Sequence, residues 1–331
     1  MKKTLLILLF GISNAMAQEV NVPCSGNLNS NQLTDKAIQA AGSIANGGSA
    51  NVNSLTSTVT NQITDCANQA TRQWLNNLLA TDRGVTEISG NFVSSNLPSW
   101  GILLVRPLTE SADKKHTTFF QGSVFVQGDR TTTNYGLGYR QLVADKKVLL
   151  GVNAFFDYEF PYANQRTSIG GEIRTTVGEL NVNYYQGVSG WVTASNGMLE
   201  KALGGYDAEL AIALPYIPSA HVRAKAFRWF GVEGLDDVYG YQYSLTGAIG
   251  YGFGIEAGST IYSSGQPTNN FMKLTWTIGG DRSQNQKQFK FRDTAYALES
   301  MEDRRFEKVR RENTIVKAQK ASDFKITVTG F

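Results

Sequence analysis

Residues 85–279 alternate apolar and polar side chains with a period of two, and this pattern limits the fold more than any other feature of the chain. Ile169 and Ile173, for example, alternate with Arg166 and Glu172. Successive side chains of a β-strand point to opposite faces, so the pattern predicts strands with one apolar and one polar face.

Twelve segments carry this pattern: 85–92, 99–108, 118–128, 133–143, 148–158, 165–175, 178–187, 204–214, 221–230, 239–251, 252–262 and 270–279. Each strand with its turn then takes about 16 residues, close to the roughly 10-residue strands and connections of an outer-membrane barrel. The connections after the fourth, sixth and tenth segments are short, whereas those after the seventh and ninth are longer. Such an alternation is typical of short periplasmic turns and long external loops. Residues 109–116 are the exception, a longer connection on the predicted periplasmic side.

A soluble β-sandwich is the alternative, because its buried and solvated faces alternate in the same way. The aromatic residues favour a transmembrane barrel, since most share the apolar face and several lie near strand ends, as in interfacial girdles. These aromatic residues are Tyr135, Tyr139, Phe156, Tyr158, Tyr184, Tyr206, Phe230, Tyr241, Tyr251, Phe253 and Trp276. In a barrel the opposite face lines the lumen, and the charged residues predicted there are Arg166, Glu172, Arg174, Asp207, Glu209, Arg223, Lys225, Glu256 and Lys273.

The N-terminus has the pattern of a signal peptide. Lys2 and Lys3 precede an apolar run at residues 5–10, and Ala15-Met16-Ala17 forms a cleavage site, so removal is predicted after Ala17. No later stretch approaches the roughly 18 consecutive apolar residues that a spanning helix requires, so the sequence excludes a helical inner-membrane protein. Export also argues against a cytoplasmic enzyme and against a nucleic-acid partner.

Residues 18–84 are polar, with apolar residues at helical spacing, and are predicted to form a periplasmic helical segment. Cys24 and Cys66 both lie in this segment. The oxidising compartment favours a disulfide between them, and two unpaired thiols are the alternative.

Residues 280–320 are predicted to be a linker that contains a helix, because apolar residues recur at helical spacing between Ala295 and Val309. Our leading hypothesis places this helix in the barrel lumen, where a basic cluster would meet the lumenal carboxylates. The alternative is a solvated periplasmic helix. The basic cluster consists of Arg304, Arg305, Lys308, Arg310 and Arg311. Residues 321–331 are predicted to form a short surface stub in which Phe324, Ile326 and Val328 share one face of a strand.

An enzyme is not predicted. A hydrolytic site at the outer rim would need a histidine or an equivalent base. His116 and His221 are the two histidines of the chain, and both fall at predicted periplasmic strand ends. No cofactor or metal site is predicted either. The best candidate for a surface contact is the connection 187–203, which contains Trp191, although local packing of this residue is the simpler interpretation.

Several short motifs occur in a fixed order between about residues 71 and 320: Gln73-Trp74-Leu75, then Gly151-Val152-Asn153-Ala154-Phe155-Phe156-Asp157-Tyr158 followed by Arg166 and Gly170-Gly171-Glu172, then Gly205-Tyr206-Asp207 running into Leu214-Pro215, and Arg311-Glu312-Asn313-Thr314-Ile315-Val316. In this order they resemble the intimin/invasin family, the inverse autotransporters of type V secretion.

The resemblance implies a twelve-stranded outer-membrane barrel with a periplasmic N-terminal part and a linker that turns back through the pore. In this family the linker displays a C-terminal passenger that usually mediates adhesion to host cells. The implied partners are outer-membrane lipid, the barrel-assembly machinery, periplasmic chaperones, and a host-cell or separately encoded surface partner.

The passenger of this family consists of Ig-like and lectin-like domains. Only eleven residues follow Lys320, whereas one Ig-like domain needs about 100, so almost no passenger is expected. The predicted function is an outer-membrane translocator and anchor. A plugged or open pore and a truncated relative without adhesive activity are the alternatives.

Overall fold

The computed structural model describes residues 84–93, 98–263, 266–279, 291–320 and 326–329, all within the unit Thr81–Phe331. The predicted signal peptide (1–17), nearly all of the predicted periplasmic segment (18–84) and the predicted disulfide between Cys24 and Cys66 lie outside the described residues. The first part of the predicted linker, 280–290, lies outside them as well.

Sixteen strands occur in the described residues: β1 Val85–Val93, β2 Ser99–Glu110, β3 His116–Gln127, β4 Arg130–Val143, β5 Val148–Phe160, β6 Asn164–Arg174, β7 Gly178–Gly187, β8 Val192–Thr193, β9 Leu199–Ala202, β10 Gly205–Leu214, β11 Ile217–Trp229, β12 Val238–Gly250, β13 Phe253–Tyr262, β14 Asn269–Gly279, β15 Lys317–Lys320 and β16 Ile326–Thr329.

Twelve of these strands, β1–β7 and β10–β14, close into an antiparallel barrel. Neighbours in sequence pair with one another, β7 pairs with β10, and β1 closes the barrel against β14 with Val85 opposite Gly279. The predicted fold class, a twelve-stranded antiparallel barrel, is therefore confirmed. The strand ends differ from the predicted ones by a few residues.

The two ends of the barrel differ. The connections 111–115, 144–147, 175–177, 215–216 and 251–252 lie at the end where β1 begins and β14 finishes, which we call the turn rim. The connections 128–129, 161–163, 188–204 and 230–237 lie at the opposite end, the loop rim. An even number of strands places both ends of the barrel chain at the turn rim.

Apolar side chains lie on the outer face of the barrel wall and charged side chains on the inner face, the reverse of the arrangement in a soluble protein. Ile169 and Val152 on the outer face are 62% and 60% exposed, whereas Arg166 and Arg174 on the inner face are 0% and 1% exposed. Eight of the predicted girdle aromatics are exposed: Tyr135, Tyr139, Tyr184, Tyr206, Tyr241, Tyr251, Phe253 and Trp276. A sandwich would bury the apolar face and solvate the charged one, so the sandwich alternative is wrong.

The predicted linker helix is also wrong. In residues 291–320 the structure contains one 3₁₀ turn, Glu302–Arg304, and the rest of this segment up to β15 is irregular or extended. Barrel side chains, rather than a helical ladder, bind the backbone of this segment, as described below. Among the described residues, no helix has the length and apolar character that crossing a membrane would require.

A second, four-stranded sheet has the order β16-β15-β9-β8. The hairpin β8–β9 belongs to the connection 188–204, and β15 pairs with β9 with Lys317 opposite Ala202. The predicted surface loop thus forms part of a sheet that receives the end of the linker, and β16 lies within the predicted terminal strand.

Candidate functional site: a linker threaded through the barrel

The linker, residues 291–320, crosses the whole lumen. At the turn rim, Thr176 Oγ1 donates to the Ala297 carbonyl (2.6 Å), and the Met301 amide donates to the Lys146 carbonyl (2.7 Å). At the loop rim, the Leu203 amide donates to the Val316 carbonyl (2.9 Å), where the linker joins the second sheet. The linker therefore enters at one rim and leaves at the other.

All five residues of the predicted basic cluster pair with carboxylates of the barrel wall. The pairs are Arg304 with Glu179, Arg305 with Glu110 (2.5 Å), Lys308 with Glu87 (2.6 Å), Arg310 with Glu209 (2.9 Å) and Glu256 (3.1 Å), and Arg311 with Asp157 (2.7 Å). The six carboxylates come from six different strands, so the linker is held from several sides of the lumen.

The backbone of the linker is bound by polar side chains of the wall. Arg140 donates to the carbonyls of Arg305 and Glu307, both at 2.6 Å. Further donors are Arg174 to Lys308 O (2.9 Å), Asn183 to Arg310 O (3.0 Å), Arg166 to Glu312 O (2.8 Å) and Asn134 to Asn313 O (3.0 Å). In return, the Val309 amide donates to Gln121 Oε1 and the Glu312 amide to Tyr185 OH, both at 2.7 Å.

These bonds explain why the linker is not a helix. A buried backbone needs each of its polar groups paired, and the lumen supplies the partners that a helical ladder would otherwise provide. Length acts in the same direction. The 14 residues from Arg304 to Lys317 would span about 20 Å as a helix, less than the roughly 25 Å apolar band of such a barrel.

The nine predicted lumen residues lie on the inner face, and most of them pair with one another or with other wall residues. Glu172 accepts from Arg140 (2.5 Å) and Arg174 (2.7 Å). The remaining wall pairs are Arg166 with Asp157 (2.9 Å), Arg223 with Glu209 (2.8 Å) and Glu179 (3.0 Å), and Asp207 with Tyr185 OH (2.7 Å). Lys225 approaches Glu312 of the linker at 3.5 Å, and Glu256 pairs with Arg310. Lys273 lines a cavity beside the linker.

Aromatic rings of the inner face stack on three buried guanidinium groups. Arg140 lies over Phe119 (4.4 Å), Arg166 over Tyr185 (4.5 Å) and Arg311 over Phe155 (4.3 Å), each measured to the ring centroid. A guanidinium is weakly hydrated and pairs with a ring and a carboxylate at once, so arginine is the cation best suited to these buried positions.

Two apolar contacts complete the packing of the linker. Towards the turn rim, Phe306 and Val309 join a buried cluster with Leu103, Val105 and Phe119. Towards the loop rim, Val316 and Ala318 join another cluster that includes Leu203 and Trp229. The linker is thus packed against the wall near both of its ends.

Where the linker leaves the barrel, an ion pair joins it to β5 and a hydrogen bond joins it to the hairpin. Lys317 pairs with Glu159 (2.5 Å), and Arg130 pairs with both Glu159 (2.7 Å) and Glu200 (2.6 Å). Gln319 of β15 donates to Glu200 at 2.7 Å. These contacts fix the position of β15 at the loop rim.

At the turn rim, Glu302 lies between two lysines of the connections. Its carboxylate approaches Lys146 at 2.7 Å and Lys114 at 3.0 Å. Hydrogen bonds from Lys146, the larger effect, and from Lys114 lower the pKa of Glu302 to about 2. The carboxylate is therefore ionised at neutral pH and holds the linker to the rim.

Sequence reasoning did not single out several residues that hold the linker, among them Arg140, Glu87, Glu110 and Glu179. Glu87 could have been found, because it alternates with the apolar Ile88 in the first strand. Of the two histidines, His116 Nδ1 lies 2.6 Å from Tyr139 OH at the turn rim, and His221 is buried beside the linker. Among the described residues there is no group of three or more metal-ligating side chains.

The sequence model of the family described as "Inverse autotransporter, beta-domain" matches residues 32–313. The chain belongs to this family. Among curated proteins, the invasin of Yersinia enterocolitica is 25% identical to this inverse autotransporter over 228 residues, which cover 67% of the chain and 26% of the invasin. The intimin of Citrobacter freundii is 28% identical over 128 residues, which cover 37% of the chain and 14% of the intimin.

A solved structure described as "Unveiling the Mechanism Behind the in-meso Crystallization of Membrane Proteins" has the same fold. It superposes with a TM-score of 0.61 at 20% identity and covers 72% of this chain and 100% of that one. The inverse autotransporter described here spans about a quarter of the length of the invasin it matches. Family and fold together establish an outer-membrane barrel of the translocator type.

Proposed function

We propose that this chain carries its own C-terminal end through its barrel and holds it at the cell surface, where it serves in attachment. The observation that carries the proposal is the path of the linker, which enters at the turn rim and leaves at the loop rim. Barrels of this kind have short periplasmic turns and longer external loops, so the turn rim faces the periplasm and the loop rim faces outward.

The contacts of the linker suit an anchor more than a transient plug. Each of the five cations of the basic cluster pairs with at least one wall carboxylate, and removing one partner of a buried pair typically costs about 3–5 kcal/mol. Such contacts would keep the linker in the lumen after export and would transmit any pull on the exposed end to the barrel. The attachment role is an extension from family membership, and its partner would be a host-cell or separately encoded surface molecule.

Biogenesis forms part of the same proposal. A barrel with an apolar outer face and a charged lumen would need periplasmic chaperones and the barrel-assembly machinery to reach the membrane without aggregating. Outer-membrane lipid would then cover the exposed outer face, including Ile169 and Val152.

The test is an epitope tag placed after Phe331, with antibody staining of intact cells. The matched control is the same tag inserted at Asp145, which is exposed in a turn-rim connection. The proposal expects the terminal tag to be stained on intact cells and the Asp145 tag to be stained only after permeabilisation. A terminal tag that becomes accessible only after permeabilisation would refute surface display.

A further inference from the structure

The linker does not fill the lumen evenly, because its backbone is bound to one side of the wall. The side chains that bind its backbone belong to β3, β4, β6 and β7. Strands β1 and β13 reach it through long side-chain ion pairs, Glu87 with Lys308 and Glu256 with Arg310. Space therefore remains between the linker and the wall formed by β1 and β11–β14.

Two cavities occupy this space and meet in the middle of the barrel. One has a volume of about 560 Å³ and extends to the turn rim, where Val85 and Gly279 line it. The other has a volume of about 190 Å³ and extends towards the loop rim, where Ser99 and Asn269 line it. Both cavities are lined by Glu256, Lys308 and Arg310, so these three side chains form the constriction between them.

The cavities have the character of water-filled space. A water molecule needs at least about 10–15 Å³ of such volume, so even the smaller cavity holds on the order of ten waters. Asn91 Oδ1 in the smaller cavity and Ser219 Oγ and His221 Nε2 in the larger one are buried and have no hydrogen-bond partner among the described residues. Buried polar atoms of this kind are normally satisfied by water.

The charged side chains at the constriction and beside it in the smaller cavity include one cation, Lys273, without a directly paired carboxylate. Lys308 and Arg310 are neutralised by Glu87 and Glu256, and Arg310 shares Glu209 with Arg223. Lys273 stands opposite Glu256 in the β13–β14 register and lines the smaller cavity. In the described part of the chain, no carboxylate oxygen lies within 4.0 Å of its ammonium group.

We propose that the space beside the linker is a pathway for small inorganic anions, and that Lys273 sets its selectivity. A cation that has no directly paired carboxylate and lies beside the narrowest point of the pathway attracts anions and repels cations. The pathway operates with the linker in place, so it adds ion conduction to an anchored barrel and does not depend on surface display.

The experiment measures the current of the purified full chain in a planar bilayer across a potassium chloride gradient. The wild-type protein is expected to conduct, with a reversal potential that shows chloride permeating better than potassium. Lys273→Glu should reverse the sign of that potential, and Lys273→Met should bring it close to zero. Lys147→Glu makes the same charge change at an exposed turn-rim residue and should leave the potential near the wild-type value.

A disulfide that fixes the linker in the lumen distinguishes two sources of current: ions that pass beside the bound linker, and ions that pass only after the linker has left the lumen. Ala318 and Lys201 are directly opposite in the β15–β9 register, and paired residues of antiparallel strands have the Cα separation that a disulfide requires. Ala318→Cys with Lys201→Cys, in a chain with Cys24→Ser and Cys66→Ser, would tie the linker to the hairpin. The oxidised protein should keep the chloride-selective current.

Three outcomes would overturn the inference. They are a current no larger than that of the bare bilayer, a current that disappears when the disulfide forms, and an unchanged reversal potential in Lys273→Glu. None of these bears on whether the terminal tag reaches the surface, so failure here and failure of the proposed function are distinguishable.

Discussion

Asp157 is a wall carboxylate that holds the linker through a fully buried ion pair. It accepts two hydrogen bonds from Arg311 of the linker (2.9 and 2.7 Å), one from Arg166 (2.9 Å) and one from Asn134 (2.7 Å). The side chains of Asp157, Arg166 and Arg311 are all 0% exposed. Asp157→Asn keeps the shape of the side chain but leaves two buried guanidinium groups without their counter-charge.

The expected cost in the free energy of unfolding is about 3–5 kcal/mol, the usual result of removing one partner of a buried ion pair. The assay is urea unfolding of the refolded protein in lipid vesicles, followed by tryptophan fluorescence. Asp236→Asn provides the control, because Asp236 is exposed in a loop-rim connection, and its cost should stay within about 0.5 kcal/mol.

A double variant tests whether the pair itself is the cause. Asp157→Asn combined with Arg311→Gln removes both charges, so its cost should fall short of the sum of the two single costs by about 1–3 kcal/mol. The reasoning is refuted if Asp157→Asn costs no more than Asp236→Asn, or if the two single costs simply add.

Two further predictions concern the rim and the outer face. The pKa of Glu302 lies below its ordinary value, so the stabilisation from its pairing with Lys146 is complete above about pH 4.5 and is lost as the pH falls through about 2. In urea unfolding, Glu302→Gln should therefore lower the free energy of unfolding by at most about 1 kcal/mol at pH 7 and should leave it unchanged near pH 2. An equal cost at both pH values would contradict this prediction. Leu245 is 52% exposed near the middle of β12, so Leu245→Arg should destabilise the barrel in vesicles by about 2–4 kcal/mol. The control is Tyr251→Arg, at a residue of the turn rim that is 81% exposed, and this variant should lower the free energy of unfolding by only about 0–1 kcal/mol. Equal costs for the two variants would mean that Leu245 does not face lipid.

The linker shows where sequence reasoning fails. The spacing from Ala295 to Val309 is helical, yet the structure there contains only the turn Glu302–Arg304. The helical spacing reflects only the order of apolar side chains within the segment itself. It does not include wall donors such as Arg140, which bind the linker backbone in place of helical partners.

The sequence also could not predict which cation of the linker pairs with which carboxylate of the wall. The basic cluster and several lumenal carboxylates were predictable one at a time, because strand parity assigns each residue to a face. Which cation meets which carboxylate depends on how far the linker advances through the lumen. Glu172, for example, pairs with Arg140 and Arg174 of the wall, whereas Asp157 receives Arg311 of the linker.

The sequence by itself determined the barrel, because strand periodicity is a local property and an even number of two-faced strands can bury its polar face by closing on itself. Strand parity alone therefore assigns residues such as Ile169 and Arg166 to opposite faces of the wall. The tertiary structure decided the extended path of the linker, its sheet with the hairpin, and the cavities beside it. These features arise from contacts between residues more than one hundred positions apart, such as Lys308 with Glu87, and no local pattern encodes such contacts.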